Sequence, residues 1–200
     1  MPEQTIKDLK KEIYLMMHKA QEMLELVEDG FMKSKLASLD QADELVKEIH
    51  SREDILTTTL AKMASTNNEA RTLLTVPSHI EKIATIIMRI TESSRTRIKE
   101  GLLFSDKAVN ETEKLFAFTM DVLKKSAEAA ITGSESAVKN TIADADAMER
   151  MANNFATAHE DRLVTGECSP NSSSTYLCIL YAFEDMGTHI KNVVKRLSAK

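Results

Sequence analysis

The sequence predicts an all-α fold of six long antiparallel helices in two tandem three-helix repeats. Three observations predict it. The 200-residue chain has only 5 glycines and 3 prolines, and aromatics make up 4% with no tryptophan. Strands need frequent turn residues and β-branched or aromatic runs. This chain instead uses Ala, Leu, Met, Glu and Lys, which suit helix interiors. Apolar residues also recur at alternating spacings of three and four, the seam of a helix packed lengthwise on others. Finally, two distant segments repeat one pattern.

The first stripe is Ile6, Leu9, Ile13, Met16, Ala20, Met23 and Val27, within a helix from residue 5 to about 38, which Gly30 bends or weakens. Ser38 or Asp40 is the expected N-cap of a second helix. Its stripe is Leu45, Ile49, Leu56, Leu60 and Met63, interrupted by Arg52. "STNNE" at 65 to 69 reads as a connection. A third stripe runs Leu73, Val76, Ile80, Ile83, Ile87 and Ile90. Pro77 lies inside it, so the helix is kinked there or its main part begins there. The fourth stripe is Ala108, Thr112, Leu115, Thr119 and Val122.

"TGSES" at 132 to 136 is a turn with new capping residues. The fifth helix carries Val138, Ile142, Ala145, Glu149, Ala152 and Ala156 and ends near Gly166, a left-handed cap. Ser169 and Pro170 then read as an N-cap followed by proline at the first helical position. The sixth stripe is Leu180, Phe183, Gly187, Ile190, Val194 and Leu197. Helices of about 25 to 35 residues are roughly 40–50 Å long, and short connections make sequential neighbours antiparallel.

The repeated pattern is "HIEKIATII" at 79–87 and "AFEDMGTHI" at 182–190: apolar, Glu, any, apolar, small, Thr. Upstream, "EIHSREDIL" at 48–56 precedes the first as "TIADADAME" at 141–149 precedes the second. The reading is a single domain over 1–200, with repeat one at 1–104 and repeat two, with an enlarged last turn, at 105–200.

Composition excludes several function classes. The net charge of −5 is spread along the chain. No Lys/Arg block points to nucleic acid, and no basic amphipathic stripe points to a membrane surface. The longest apolar run, Tyr176 to Phe183, is far short of the ~20 residues needed to span a bilayer. The charged start "MPEQTIKDLKKEI" lacks the apolar core of a signal peptide. These features predict a cytoplasmic protein, or a soluble cytoplasmic part of something larger. Cys168 and Cys178 form no disulfide framework or metal-ligand spacing. They read as reduced thiols, Cys168 in a turn and Cys178 buried in the last helix. A ferritin-like metalloenzyme needs paired Glu-x-x-His motifs on core helices, and none is present. The chain reads as no enzyme.

The stretch "RLVTGECSPNSSSTYLCILYAFEDMGTHIKNV" resembles the last helical hairpin of PhoU domains, the phosphate-uptake regulator family. It looks most like the version attached to bacterial sodium–phosphate cotransporters. The matching residues are Arg162, Leu163, Gly166, Cys168, Ser169, Leu177, Leu180, Glu184, Gly187 and His189. The resemblance implies a six-helix fold with two pseudo-repeats, no catalysis, and a role coupling phosphate transport to phosphate signalling. Its implied partner is a phosphate transporter or an associated signalling protein. It also implies homodimers.

Many members bind clusters of iron or other metal ions through E-x-x-x-D pairs on the second and third helices of each repeat. Carboxylates at i and i+4 share a helix face and can bridge hard cations across two helices. Here Thr85 and Thr188 stand where the family has aspartate. Glu81, Glu149 and Glu184 remain as candidate metal ligands, with Arg52 expected to face Glu81 in a cross-helix ion pair. Asp185 and His189, one turn apart, form a weaker candidate pair, more readily a solvated surface pair. The expectation is no multinuclear cluster and at most a single divalent or iron ion. The alternative function is a helical scaffold or partner-binding protein unrelated to phosphate.

Overall fold

In a computed structural model that describes residues 5–198, the chain forms seven helices. Six are long: α1 (Ile6–Lys33), α2 (Leu36–Met63), α4 (Val76–Lys99), α5 (Asp106–Thr132), α6 (Glu135–Val164) and α7 (Pro170–Ser198). The short α3 (Asn68–Leu73) occupies the connection after α2. No strand occurs among the described residues. No helix among them is long and apolar enough to cross a membrane.

Local chemistry sets most boundaries. Thr5 and Asp8 form a capping box that starts α1. Asn67 caps α3, Ser105 caps α5 and Ser134 caps α6 through their side-chain oxygens. Pro77 falls in the first turn of α4, so the main helix begins there and is not kinked. Gly166 has φ 77, the left-handed conformation expected after α6.

The first boundary differs from expectation. α1 stops at Lys33, where Ser34 is left-handed with φ 55, and α2 begins at Leu36. Neither Ser38 nor Asp40 caps α2, because Ser38 instead donates to Asp29 Oδ2 at 2.6 Å. The turn between the two helices is therefore tight. Gly30 allows it: a Cβ there would collide with Leu39 Cδ2 of the incoming helix. Gly30 is thus a close-approach residue inside a continuous helix.

The helices α1, α2 and α4 pack together, as do α5, α6 and α7. The two groups meet through α1 against α5 and α4 against α7. Aromatic rings run across the first of these contacts. Phe31 packs on Phe116 at 5.8 Å, and Phe116 meets Phe183 edge-on at 5.2 Å. The predicted stripes supply the core: Ile13, Met16, Ile49, Leu60, Ile83, Ile87, Leu115, Val122, Leu180 and Phe183 are essentially inaccessible. Neither cysteine is fully buried. Cys178 lies on the half-exposed flank of α7, one position before the buried Ile179.

Candidate functional site

Three polar constellations lie on the helix faces where the sequence placed its candidates, and a fourth lies elsewhere. On the α6–α7 face, Glu149 is half-buried, and its Oε1 accepts from Thr188 Oγ1 at 3.2 Å. Lys191 Nζ donates to Glu149 Oε2 at 2.7 Å and to Asp146 Oδ1 at 2.8 Å. Lys191 holds the Asp146 carboxyl below its usual range through that hydrogen bond. The Lys191 pKa is raised: burial opposes its charge, but bonds from Asp146 and Glu149 prevail. Glu184 is half-buried on the same helix and takes no part in this cluster.

The side chain of Glu149 lies directly over Gly187. A Cβ on Gly187 would approach Glu149 Cγ to 2.6 Å and Oε1 to 2.7 Å. The small residue admits the folded side chain of Glu149.

On the α2–α4 face, Glu81 accepts from or shares a proton with His50, Nδ1 to Oε1 at 2.7 Å. That contact, then the nearby Asp54 charge, raises the His50 pKa. The expected Arg52–Glu81 pair does not form. Arg52 turns the other way and donates to Glu12 Oε2 of α1 at 2.8 Å. One residue along a helix rotates a side chain by about 100°, so His50 and Arg52 face different neighbours. Thr85 Oγ1 bonds back to the Glu81 carbonyl within its own helix.

On the α4–α7 face, Asp185 and His189 turn to separate partners on α4. Arg89 donates to Asp185 Oδ2 at 2.5 Å, and His189 Nδ1 lies 3.1 Å from His79 Nδ1. Burial pushes both imidazoles below their usual range.

The fourth constellation is buried and was not foreseen. Glu111 of α5 takes two bonds from Arg162 of α6, at 3.0 and 2.7 Å, and one from the Tyr176 hydroxyl of α7. The Arg162 and Glu111 side chains are only 6% and 7% exposed, so the pair is sealed from water. Burial and then the Glu111 bond push the Tyr176 pKa up. A cavity of about 230 Å³ lies above, lined by Phe104, His159, Cys168, Ser172 and Tyr176 among others. Its signal in the sequence was faint: Glu111 lies three residues after Ala108 and four before Leu115, at the edge of an apolar stripe.

No three His, Cys, Asp or Glu side chains among the described residues converge as a metal cage. Sequence reasoning also missed the partners His50, His79 and Lys191, of which Lys191 was the most legible. It lies three positions after Thr188 and seven after Glu184, so a helical-wheel projection would have placed it on their face.

No family model matches this sequence, and no curated protein sequence matches it. Solved structures do. The phosphate transport system regulatory protein PhoU from Streptococcus pneumoniae superimposes with a TM-score of 0.84 at 12% identity, covering 96% of this chain and 92% of that one. The chain has a PhoU-like fold. PhoU from Pseudomonas aeruginosa gives a TM-score of 0.80 at 10% identity, covering 95% and 93% of the two chains. A PhoU-like protein from Shewanella oneidensis gives 0.62 at 15% identity, covering 94% and 97%. The PhoU-like likeness thus spans both helix groups.

Proposed function

We propose that this chain is a non-enzymatic regulatory or adaptor domain of phosphate uptake or phosphate signalling. It acts in the cytoplasm by protein–protein contact with a phosphate transporter or an associated signalling protein. The observation that carries the reading is the likeness to the pneumococcal phosphate transport regulator over 96% of the chain. The motif from Arg162 to His189 supports the same reading from the sequence side, and its likeness to the cotransporter-attached version makes such a transporter the favoured partner. An adaptor needs shaped helix faces and no reacting group. The charged clusters here suit that role, because each carboxylate bond they contain satisfies a neighbouring side chain.

The residues present do not fit a multinuclear metal cluster. On the α6–α7 face an ammonium, Lys191, stands between the carboxylates of Asp146 and Glu149. A metal ion there would meet a like charge within hydrogen-bonding distance of its own ligands. Glu81 shares its face with His50, the hydroxyl of Thr85 and the nearby charge of Asp54, and no three His, Cys, Asp or Glu side chains among the described residues converge there to hold several hard cations.

Co-purification from phosphate-replete and phosphate-starved cells tests the function. The expected result is recovery of a phosphate transporter or a phosphate-signalling protein whose amount depends on phosphate supply, with altered phosphate uptake when the gene is deleted. A chain recovered with partners unrelated to phosphate, and unchanged uptake on deletion, would favour the scaffold reading instead.

A further inference from the structure

The turn between α6 and α7 does more than join two helices. Its residues Glu167, Cys168 and Ser169, with the first turns of α5 and α7, line the cavity of about 230 Å³. One water takes about 30 Å³ of the liquid, and drug-sized pockets begin near about 300 Å³. The walls are largely apolar: Leu103, Phe104, Ala108 and the Tyr176 ring. Phe104 and Tyr176 stand edge-to-face at 5.4 Å. His159 of α6 closes one side. It is only 2% exposed, and its Nε2 lies 2.8 Å from Ser173 Oγ of α7. Its Nδ1 has no hydrogen-bond partner among the described residues. A buried polar atom without a partner is costly, and Nδ1 is the polar group that His159 has left to offer the cavity.

We propose that this cavity is a binding site for a small neutral aromatic molecule that carries a hydroxyl group, with the hydroxyl bonded to His159 Nδ1. A hydroxyl both donates and accepts, so it satisfies Nδ1 in either tautomer of the ring. Phe104 and Tyr176 suit an aromatic body, since rings prefer offset or edge-on aromatic neighbours. Ser169 and Ser172 line the same space and bring further hydrogen-bonding groups. Apolar walls with a few polar groups, one of them a histidine of shifted pKa, are the usual make-up of a ligand pocket.

Charge selects a neutral guest. Glu167 is the charged residue of the lining; it is exposed, and its Oε1 accepts from Thr165 Oγ1 at 3.1 Å. Its carboxylate repels anions. Below the cavity, Glu111 and Arg162 neutralise one another. Burial, then the nearby Arg162 charge, holds the His159 imidazole below its usual range, so the ring is neutral near neutral pH. An ion would lose its water against such walls. This inference does not depend on the phosphate reading, since it rests on the cavity alone.

Phenol, titrated into the purified full chain near neutral pH and followed by histidine-ring NMR, tests the site. The expected result is saturable binding of one phenol per chain, with the His159 ring perturbed before the other histidines. Benzoate, the same ring with a charge, should show no saturable binding. His159→Phe keeps a ring beside Tyr176 but loses Nδ1. Its phenol affinity should fall about tenfold, the effect of one neutral hydrogen bond. Ala108→Leu should fill the cavity and abolish binding while His159 stays, and His79→Gln should bind as the parent does. The parent spectra decide the matter even where a variant fails to fold. Unsaturable shifts in the parent, first perturbation at another histidine, benzoate binding as tight as phenol, or undiminished affinity in folded His159→Phe or Ala108→Leu overturns the site.

Discussion

Lys191 supplies at the α6–α7 face the positive charge that Asp146 and Glu149 need, from a side chain of the fold itself. Its removal leaves two carboxylates side by side, each partly exposed. Lys191→Met should therefore destabilise the chain by about 1 kcal/mol, since exposed pairs contribute roughly 0–1 and half-buried ones somewhat more. Denaturant melts measure this. Thr188→Asp alone should add an acceptor for the lysine and little metal affinity. Combined with Lys191→Met, it should create a carboxylate cluster that takes up divalent ions. Elemental analysis showing equal uptake with and without Lys191 would rule out the lysine as the blocking charge.

Gly187 belongs at the same scale. Alanine is the better helix former by up to ~1 kcal/mol, yet its Cβ would press on the Glu149 stem at 2.6 Å. Overpacking costs about 1–3 kcal/mol. Gly187→Ala should thus be net destabilising, and Gly187→Leu more so. Pairing Gly187→Ala with Glu149→Ala should recover the propensity gain, a double-mutant-cycle signature of direct contact. Additive effects of the two substitutions would mean that the glutamate does not lie over the glycine.

At the scale of elements, the end of the α5–α6–α7 group is held by a sealed ion pair. Glu111, Arg162 and Tyr176 come from three different helices and bond one another with 7% exposure or less at Glu111 and Arg162. Breaking a buried pair by removing one partner strands the other charge, at a cost of about 3–5 kcal/mol. Arg162→Met should lose about that much stability. Replacing both charges, with Glu111→Leu beside Arg162→Met, should restore most of it. Chemical denaturation of the two variants decides the matter: a double variant no more stable than Arg162→Met would show that the helices need the polar bonds themselves. The turn between α6 and α7 adds a backbone requirement, because Gly166 at φ 77 occupies a region that costs an L-residue about 1–2 kcal/mol.

For the whole molecule, three buried or half-buried histidines set a direction for pH dependence. His79, His159 and His189 all have pKa values below the ordinary 6.5, chiefly through burial. A depressed folded-state value means that the unfolded chain takes up protons first. The stability from these groups is full above pH 6.5 and is lost as pH falls from there toward the folded values. His50, raised by Glu81, works in the opposite sense but is exposed. Melts at about pH 7.5 and about pH 5.5 should show lower stability at the acid end, with a shallower slope in the His79→Gln, His159→Gln, His189→Gln variant. A parent chain equally stable at both pH values would contradict this account.

The sequence by itself determined the six long helices and their buried faces, though not the boundary between α1 and α2 or the short α3. Capping residues, Gly166, Pro77 and the three-four apolar spacing are local signals, readable wherever a chain has few turn residues. The motif from Arg162 to His189 was also legible, and it pointed to the PhoU-like fold that the solved structures share. Tertiary structure alone decided which charges meet. Glu81 was legible as a candidate, but its partner proved to be His50, two residues from the expected Arg52. Glu149 was legible on its seam, but Lys191 was not seen as its partner. His189 was paired in sequence with Asp185, whereas in space it meets His79, 110 residues away. The physical reason is that a cross-helix contact depends on the rotation and axial slide of two helices. A slide of one turn moves a side chain by about 5.4 Å, more than any hydrogen bond can span, while the apolar stripe that the sequence displays looks the same before and after it.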